Sequence, residues 1–336
     1  MQKLLIATGA LIALLIIIGL ALPRYSRVEV STTIDANPAT VFALANDLQR
    51  ANEWSSTVAS DPNARVVFSG PQRGVGAMMT WDGAIAGSGT QTITESRPYE
   101  HVAMVVNPGE DSESRMWIDI RRGAGGSDVT WSFEADFGYN IVGRYLALMI
   151  KGIFKREFEA ALANLKTMAE GLPRADFSDL DIEHIVVEPT TIAYLSSSSA
   201  PEPGAISEAM GDAYFQILGF IDEHGLAEAG APLSITRSFS GSSLQFDAAI
   251  PVRGVTDETP TDGNLVRIGE TYGGPVIRVR HIGSYRTLAT THLKITSYLA
   301  AAGIERNGAA WESYVSDPTK VDEGDLLTYV FYPVIR

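Results

Sequence analysis

The apolar positions of this chain change their spacing from one segment to the next, and each spacing predicts an element. Leu4 to Leu22 is apolar or small throughout and carries no charge, with Lys3 ahead of it and Arg24 and Arg27 behind. At a rise of about 1.5 Å per residue such a run makes a helix roughly 28 Å long, close to the hydrocarbon thickness of a bilayer. It predicts a single-pass N-terminal transmembrane helix, with residues 1–27 as a membrane anchor. A cleaved signal peptide wants a shorter apolar core and a small-residue cleavage site, which Leu20-Ala21-Leu22-Pro23 does not offer. Lys3 in front of the run favours an extracytoplasmic placement of the domains beyond it, although Arg24 and Arg27 pull the other way.

Beyond the anchor, Val28 to Ile34 alternates as a half-buried strand. Asn37 and Pro38 open a helix whose apolar face is Val41, Phe42, Ala45 and Leu48. Short apolar or alternating runs come next at Arg65–Phe68, Gly76–Trp81, Gln91–Glu95, His101–Val106, Arg115–Ile120 and Val129–Ala135, and Gly123 to Asp128 links the last two as a hairpin would. An antiparallel meander is expected. Phe154, Phe158, Ala161, Leu162, Leu165 and Met168 then recur at helical spacing until Gly171 and Pro173 end the pattern. These signals predict a domain over residues 28–175 and a boundary near 176. A long helix across a curved sheet leaves room for an apolar ligand.

The second domain, residues 180–336, contains a repeat. Gly225 to Ile235 aligns without a gap to Gly303 to Ser313, and Phe246 to Pro251 matches Thr328 to Pro333. With Thr191–Leu195 and Val276–His281 as first strands, and Ile206–His224 and Tyr285–Ala302 as helices, each half reads strand, helix, strand, strand. Two such halves about a pseudo-twofold axis leave a cleft between them. The halves differ where Ser234 of the first aligns with Glu312 of the second. The expected fold class is therefore α+β: a transmembrane helix, an antiparallel sheet gripped by a long helix, and a duplicated β-α-β-β domain.

Charge and composition narrow the chemistry. A net charge of −14, with every acidic residue after Val28, repels phosphate backbones and argues against nucleic acid as a partner. The absence of cysteine removes disulfides, thiol nucleophiles and thiolate metal sites. Five scattered histidines lack ligand spacing, so neither a metal nor a cofactor is expected, and His281 reads as a packing or turn-orienting residue. No hydrolase elbow, zinc-protease, phosphate-loop or dinucleotide motif occurs.

Two family resemblances add to this. Ile34-Asp35-Ala36-Asn37-Pro38 with Val41-Phe42, Asp47 with Glu53-Trp54-Ser55, Thr130-Trp131-Ser132, and Phe158-Glu159 with Leu162, Asn164, Leu165 and Lys166 resemble the SRPBCC superfamily, the START-like helix-grip fold that includes polyketide cyclase-type proteins. That resemblance implies a fold and a hydrophobic ligand class. Trp54, Trp81, Trp117 and Trp131 could line its cavity, yet aromatics of an antiparallel domain are more often core, and Asp82, Glu95 and Asp119 fit a solvated face. No catalytic residue is nominated.

His281-Ile282-Gly283-Ser284-Tyr285, Trp311-Glu312-Ser313-Tyr314-Val315-Ser316-Asp317-Pro318 and Tyr329-Val330-Phe331-Tyr332-Pro333-Val334 resemble the GyrI-like family, the AraC-type effector-binding domain of many multidrug-responsive transcription activators. The resemblance implies that Glu312 sits in the central cleft and faces cationic, aromatic ligands. Physical chemistry agrees, since a desolvated carboxylate gains from a ligand cation and ring faces add cation–π attraction. The alternative is Glu312 on a solvated face, since alternation sets it with Ala310 and Tyr314, opposite Trp311. The candidate ligand-binding set is Glu312, Trp311, Tyr314, Tyr285, Tyr194 and Tyr332. Residues before Leu180 are already assigned, which leaves no helix-turn-helix and argues against direct transcriptional control. The expected function is a membrane-anchored small-molecule-binding protein. The alternatives are a small-molecule hydrolase using Glu312 as general base, and a non-catalytic scaffold.

Overall fold

The computed structural model describes residues 2–55, 61, 63–107, 114–260 and 265–335. They form two compact units, Met1–Ser178 with Ala300–Gly303, and Asp179–Leu299 with Ile304–Arg336.

Unit 1 opens with α1 (Gln2–Ala21), β1 (Tyr25–Ile34), α2 (Pro38–Ala45) and α3 (Leu48–Trp54). Then come β2 (Arg65–Ser69), β3 (Met78–Gly83), β4 (Gly87–Arg97), β5 (His101–Asn107), β6 (Ser114–Gly123), β7 (Gly126–Asp136) and α4 (Ile141–Glu170). The seven strands lie in the order β1-β7-β6-β5-β4-β3-β2, and every neighbouring pair is antiparallel. Gly126 turns the β6–β7 hairpin at φ +143°, where a Cβ would stand 2.2 Å from the Ile34 carbonyl oxygen. Pro38 begins α2, but the Asn37 side chain does not cap it; its amide donates to the Arg174 carbonyl at 2.6 Å instead. Asp47 does cap α3, accepting from the amides of Gln49 and Arg50.

The inner stripe of α4 is Phe158, Ala161, Leu162, Leu165 and Ala169, all buried against the sheet. Trp131 lies flat on Phe158, with centroids 4.3 Å apart and planes 4° from parallel, and Trp54 meets Trp131 edge-on at 5.4 Å. Trp54, Trp81 and Trp131 are core; Trp117 lies on the other face beneath the Arg27 guanidinium, 5.0 Å away. Aromatic rings thus occupy this part of the layer between helix and sheet. Two cavities open elsewhere on the unit, of about 540 Å³ beside Tyr99, Asp119 and Arg121 and about 210 Å³ beside Phe68 and Pro71.

The membrane helix expected at Leu4–Leu22 is corrected here, and with it the transmembrane part of the fold class, the single-pass localisation and the membrane as a partner. Among the described residues no helix is long and apolar enough to cross a membrane. Part of α1 is committed to protein. The Arg144 guanidinium of α4 donates to the carbonyls of Gly19, Leu20 and Leu22, and the Tyr145 hydroxyl donates to that of Leu15. At Gly19 a Cβ would meet Ile141 at 2.2 Å, so the two helices touch through a missing side chain. An ionised group against the last turns is costly in hydrocarbon, and the apolar run in the sequence does not reveal it. The fold is mixed α+β with antiparallel sheets.

Unit 2 contains β8 (Ile182–Val187), β9 (Thr191–Ser199), α5 (Pro203–Glu223), β10 (Ala227–Glu228), β11 (Leu233–Ser240) and β12 (Ser243–Arg253). It continues with β13 (Arg267–Glu270), β14 (Gly274–Ile282), a 3-10 turn at Tyr285–Thr287, α6 (Leu288–Ala302), β15 (Trp311–Tyr314) and β16 (Leu327–Pro333). The strand order is β13-β9-β12-β11-β15-β16-β14-β8, with β10 beside β12. Read from the middle outward, β11-β12-β9 mirrors β15-β16-β14, and the repeats meet where β11 pairs antiparallel with β15. Apolar stripes of both helices pack on one face of this sheet: Ala213, Ile217 and Phe220 from α5, Leu288, Ile295 and Leu299 from α6.

Replacing Phe158 removes the ring on which Trp131 stacks and leaves a cavity. Phe158→Ala should lower unfolding stability by about 3–5 kcal/mol. Urea denaturation followed by tryptophan fluorescence measures it.

Candidate functional site

The site grows from the seam between the repeats. Ser234 of β11 and Glu312 of β15, equivalent by sequence, are direct cross-strand partners. They lie in one row across the sheet, Leu195, Ala248, Ser234, Glu312, Val330 and Val279, whose flanking members belong to the two cores beneath α5 and α6. Glu312 is therefore on the helix-covered face, with 14 % of its side chain exposed.

Three polar side chains meet this carboxylate or its partner. Tyr314, two residues along the strand, donates its hydroxyl to Oε2 at 2.5 Å. His292 of α6 places Nε2 2.7 Å from Oε1, and its Nδ1 is 2.8 Å from the Tyr332 hydroxyl of β16. A continuous chain, Tyr314 to Glu312 to His292 to Tyr332, results. Around it, Tyr285 meets Tyr314 edge-on at 5.2 Å and Tyr214 of α5 donates to the Leu233 carbonyl at 2.8 Å. Arg306 lies over the Tyr332 ring, 4.9 Å from its centre.

Burial sets the protonation of the phenols. It raises Tyr332 to about 12, the Arg306 charge pulling it down and Glu312 pushing it up. Tyr314 is raised well above the ordinary phenol range, by burial first and then by the Glu312 charge, and Tyr214 is raised by the same two causes in the same order. These hydroxyls remain donors at neutral pH. Asp317, in the turn after β15, is lowered to about 2 by the hydroxyl and amide of Thr319 and by Lys320.

Of the six candidates from the sequence, Glu312, Tyr314, Tyr285 and Tyr332 come together. Trp311 and Tyr194 do not. Trp311 is buried on the reverse face, stacked on Phe331 at 4.8 Å, and Tyr194 packs on the same reverse-face core. The pleat makes this unavoidable, since consecutive side chains in a strand point to opposite faces and Trp311 precedes Glu312. His281 is buried, with Nδ1 2.9 Å from the Thr291 hydroxyl and Nε2 3.3 Å from the Ser284 carbonyl, and it fixes the turn between β14 and α6. Among the described residues no group of three or more His, Asp or Glu could hold a metal ion.

His292 was missing from the sequence-derived set. Its signal was present: Leu288, His292, Ile295 and Leu299 have the four-three-four spacing of a buried helical stripe, with His292 its polar member. Nothing in the sequence said that this stripe faces Glu312, because the contact joins two elements across the fold.

Residues 26–170 match the family model described as polyketide cyclase / dehydrase and lipid transport, which is less than half of the chain. No curated protein matches the chain. Among solved structures, it is similar to the EcmrR C-terminal domain at 11 % identity, covering 47 % of this chain and 99 % of that one, with a TM-score of 0.39. It is similar to a hydrolase from Listeria innocua at 15 % identity, 46 % and 91 % coverage and a TM-score of 0.35. A cryo-EM structure of an EcmrR–DNA complex matches at 13 % identity, 59 % and 72 % coverage and a TM-score of 0.38. Scores this low assign neither ligand nor reaction to this chain.

The raised phenol has a measurable consequence. The stability that Tyr332 contributes is fully present below about pH 10, where an unfolded phenol is also protonated, and is lost as pH rises through about 12. Urea denaturation across that range should show stability falling, and Tyr332→Phe should remove part of the slope.

Proposed function

We propose that unit 2 is a small-molecule-binding module for planar organic cations, with Glu312 as the counter-charge and the phenols of Tyr314, Tyr285 and Tyr332 as its surroundings. The observation that supports this most directly is a largely desolvated carboxylate on the helix-covered face, at the seam of a duplicated domain, ringed by aromatic side chains. A desolvated anion gains more from a bound cation than one in water does, and aromatic faces add to the attraction. Residues 28–175 and 180–336 are proposed as separate ligand-binding domains. For the first, the family match supports an apolar ligand.

A second reading is favoured by the imidazole set 2.7 Å from the carboxylate. Glu312 and His292 together have the composition of a general base, as hydrolysis of a reactive small molecule requires.

One titration separates the two. The full-length chain should bind N-methylquinolinium more tightly than its neutral isostere 1-methylnaphthalene. Glu312→Gln, which keeps volume and hydrogen-bonding groups but loses the charge, should weaken cation binding roughly tenfold or more, as expected for a charged contact worth about 1.5–3 kcal/mol. Ser234→Ala, at the equivalent position, should change it much less. Equal affinity of native and Glu312→Gln proteins in calorimetry would reject the cation site. Turnover of 4-nitrophenyl acetate that is lost in Glu312→Gln while cation affinity is kept would favour the hydrolase.

A further inference from the structure

We infer that His292 is a resident, proton-controlled competitor for the charge of Glu312, so that the Glu312 site holds a permanent cation when His292 is neutral and releases it when His292 is protonated. This rests on the proposed cation site. His292 Nε2 stands 2.7 Å from Glu312 Oε1, a position a ligand cation must approach to pair with the carboxylate. Its other nitrogen stands 2.8 Å from the Tyr332 hydroxyl, and a hydroxyl both donates and accepts. With a neutral ring, Nε2–H donates to Glu312 and Nδ1 accepts from Tyr332. With a charged ring, Nδ1–H donates to the Tyr332 oxygen and Nε2–H still donates to Glu312. Both His292 contacts survive the change with one arrangement of heavy atoms, the Tyr332 hydroxyl turning from donor to acceptor.

The other groups facing this pair cannot take its place. Tyr314 holds the second carboxylate oxygen, and Tyr214 from α5 and Tyr285 from the turn before α6 are phenols. Arg306 lies over the Tyr332 ring as a fixed cation, and the Asp317 charge acts on Tyr285. Imidazole is the side chain that ordinarily changes charge between about pH 5 and 8, and His292 is the imidazole in contact with Glu312. Once protonated, it neutralises Glu312 and sets a like charge against the ligand. Binding of a permanent cation must then expel one proton, and for one proton exchanged the affinity falls about tenfold per pH unit where the charged ring predominates.

Calorimetry of the full-length chain with N-methylquinolinium, whose own charge does not titrate, tests this at about pH 8 and about pH 5. Affinity should fall tenfold or more toward the acid side. Between those pH values the apparent heat should differ between two buffers of unlike ionisation enthalpy, because a proton is released. His292→Gln keeps a hydrogen-bonding amide, so it should bind at about pH 8 and lose both effects. Equal affinity at both pH values in the native protein, or no buffer dependence, overturns the inference and leaves the cation site standing; so does an identical fall in His292→Gln. If His292→Gln does not fold, the buffer dependence of the native protein decides alone. Absence of binding at about pH 8 overturns the cation site, and the inference with it.

Discussion

A carboxylate held under two helices has to be satisfied, and unit 2 is arranged around that requirement. Glu312 reaches this place because β11 and β15 pair at the centre of the sheet, which puts the same position of both repeats side by side. Two acids there would repel each other in a region of low hydration. The first repeat carries Ser234 instead, so the seam holds one charge, and the duplicated architecture gives an asymmetric site.

The partners of that charge come from separate elements. Tyr314 is set by the strand itself, being two residues from Glu312 and so on its face. His292 is delivered by α6 and Tyr332 by β16, and each is fixed by the core around it: Leu288, Ile295 and Leu299 hold the helix, Val330 and Val334 the strand. Packing of apolar residues therefore sets the distances on which the polar chain depends. Burial also keeps the phenols protonated and able to donate, which is how a carboxylate in this setting remains hydrogen-bonded.

Unit 1 uses a similar architecture to another end. Its long helix lies against an antiparallel sheet, yet Trp131, Phe158, Phe133 and Phe154 fill part of the layer by ring-on-ring contact. Offset and edge-on rings pack densely and are stabilising beyond their area. The expected apolar cavity meets an aromatic core at this level, and two cavities open elsewhere on the unit, beside Tyr99 and Asp119 and beside Phe68 and Pro71.

Local pattern was enough for most of the elements and for four residues of the candidate site. Alternation marked the strands, three-to-four spacing marked α4, and an ungapped repeat located the seam and singled out Glu312 opposite Ser234, because these are signals carried by neighbouring residues. The same alternation set Trp311 on the reverse face, where the structure buries it. Four features were decided only by tertiary structure. One is His292, whose meaning comes from a strand twenty residues away. Another is Tyr194, whose strand is separated from β15 by β12 and β11. A third is the pair of edge strands, β8 and β13, each of which precedes the first strand of one repeat and pairs with the first strand of the other. The last is α1, where apolar composition says how greasy a helix is but not that Arg144 and Tyr145 bind its backbone. Composition and periodicity act along the chain, whereas the partners of a buried charge are chosen across it.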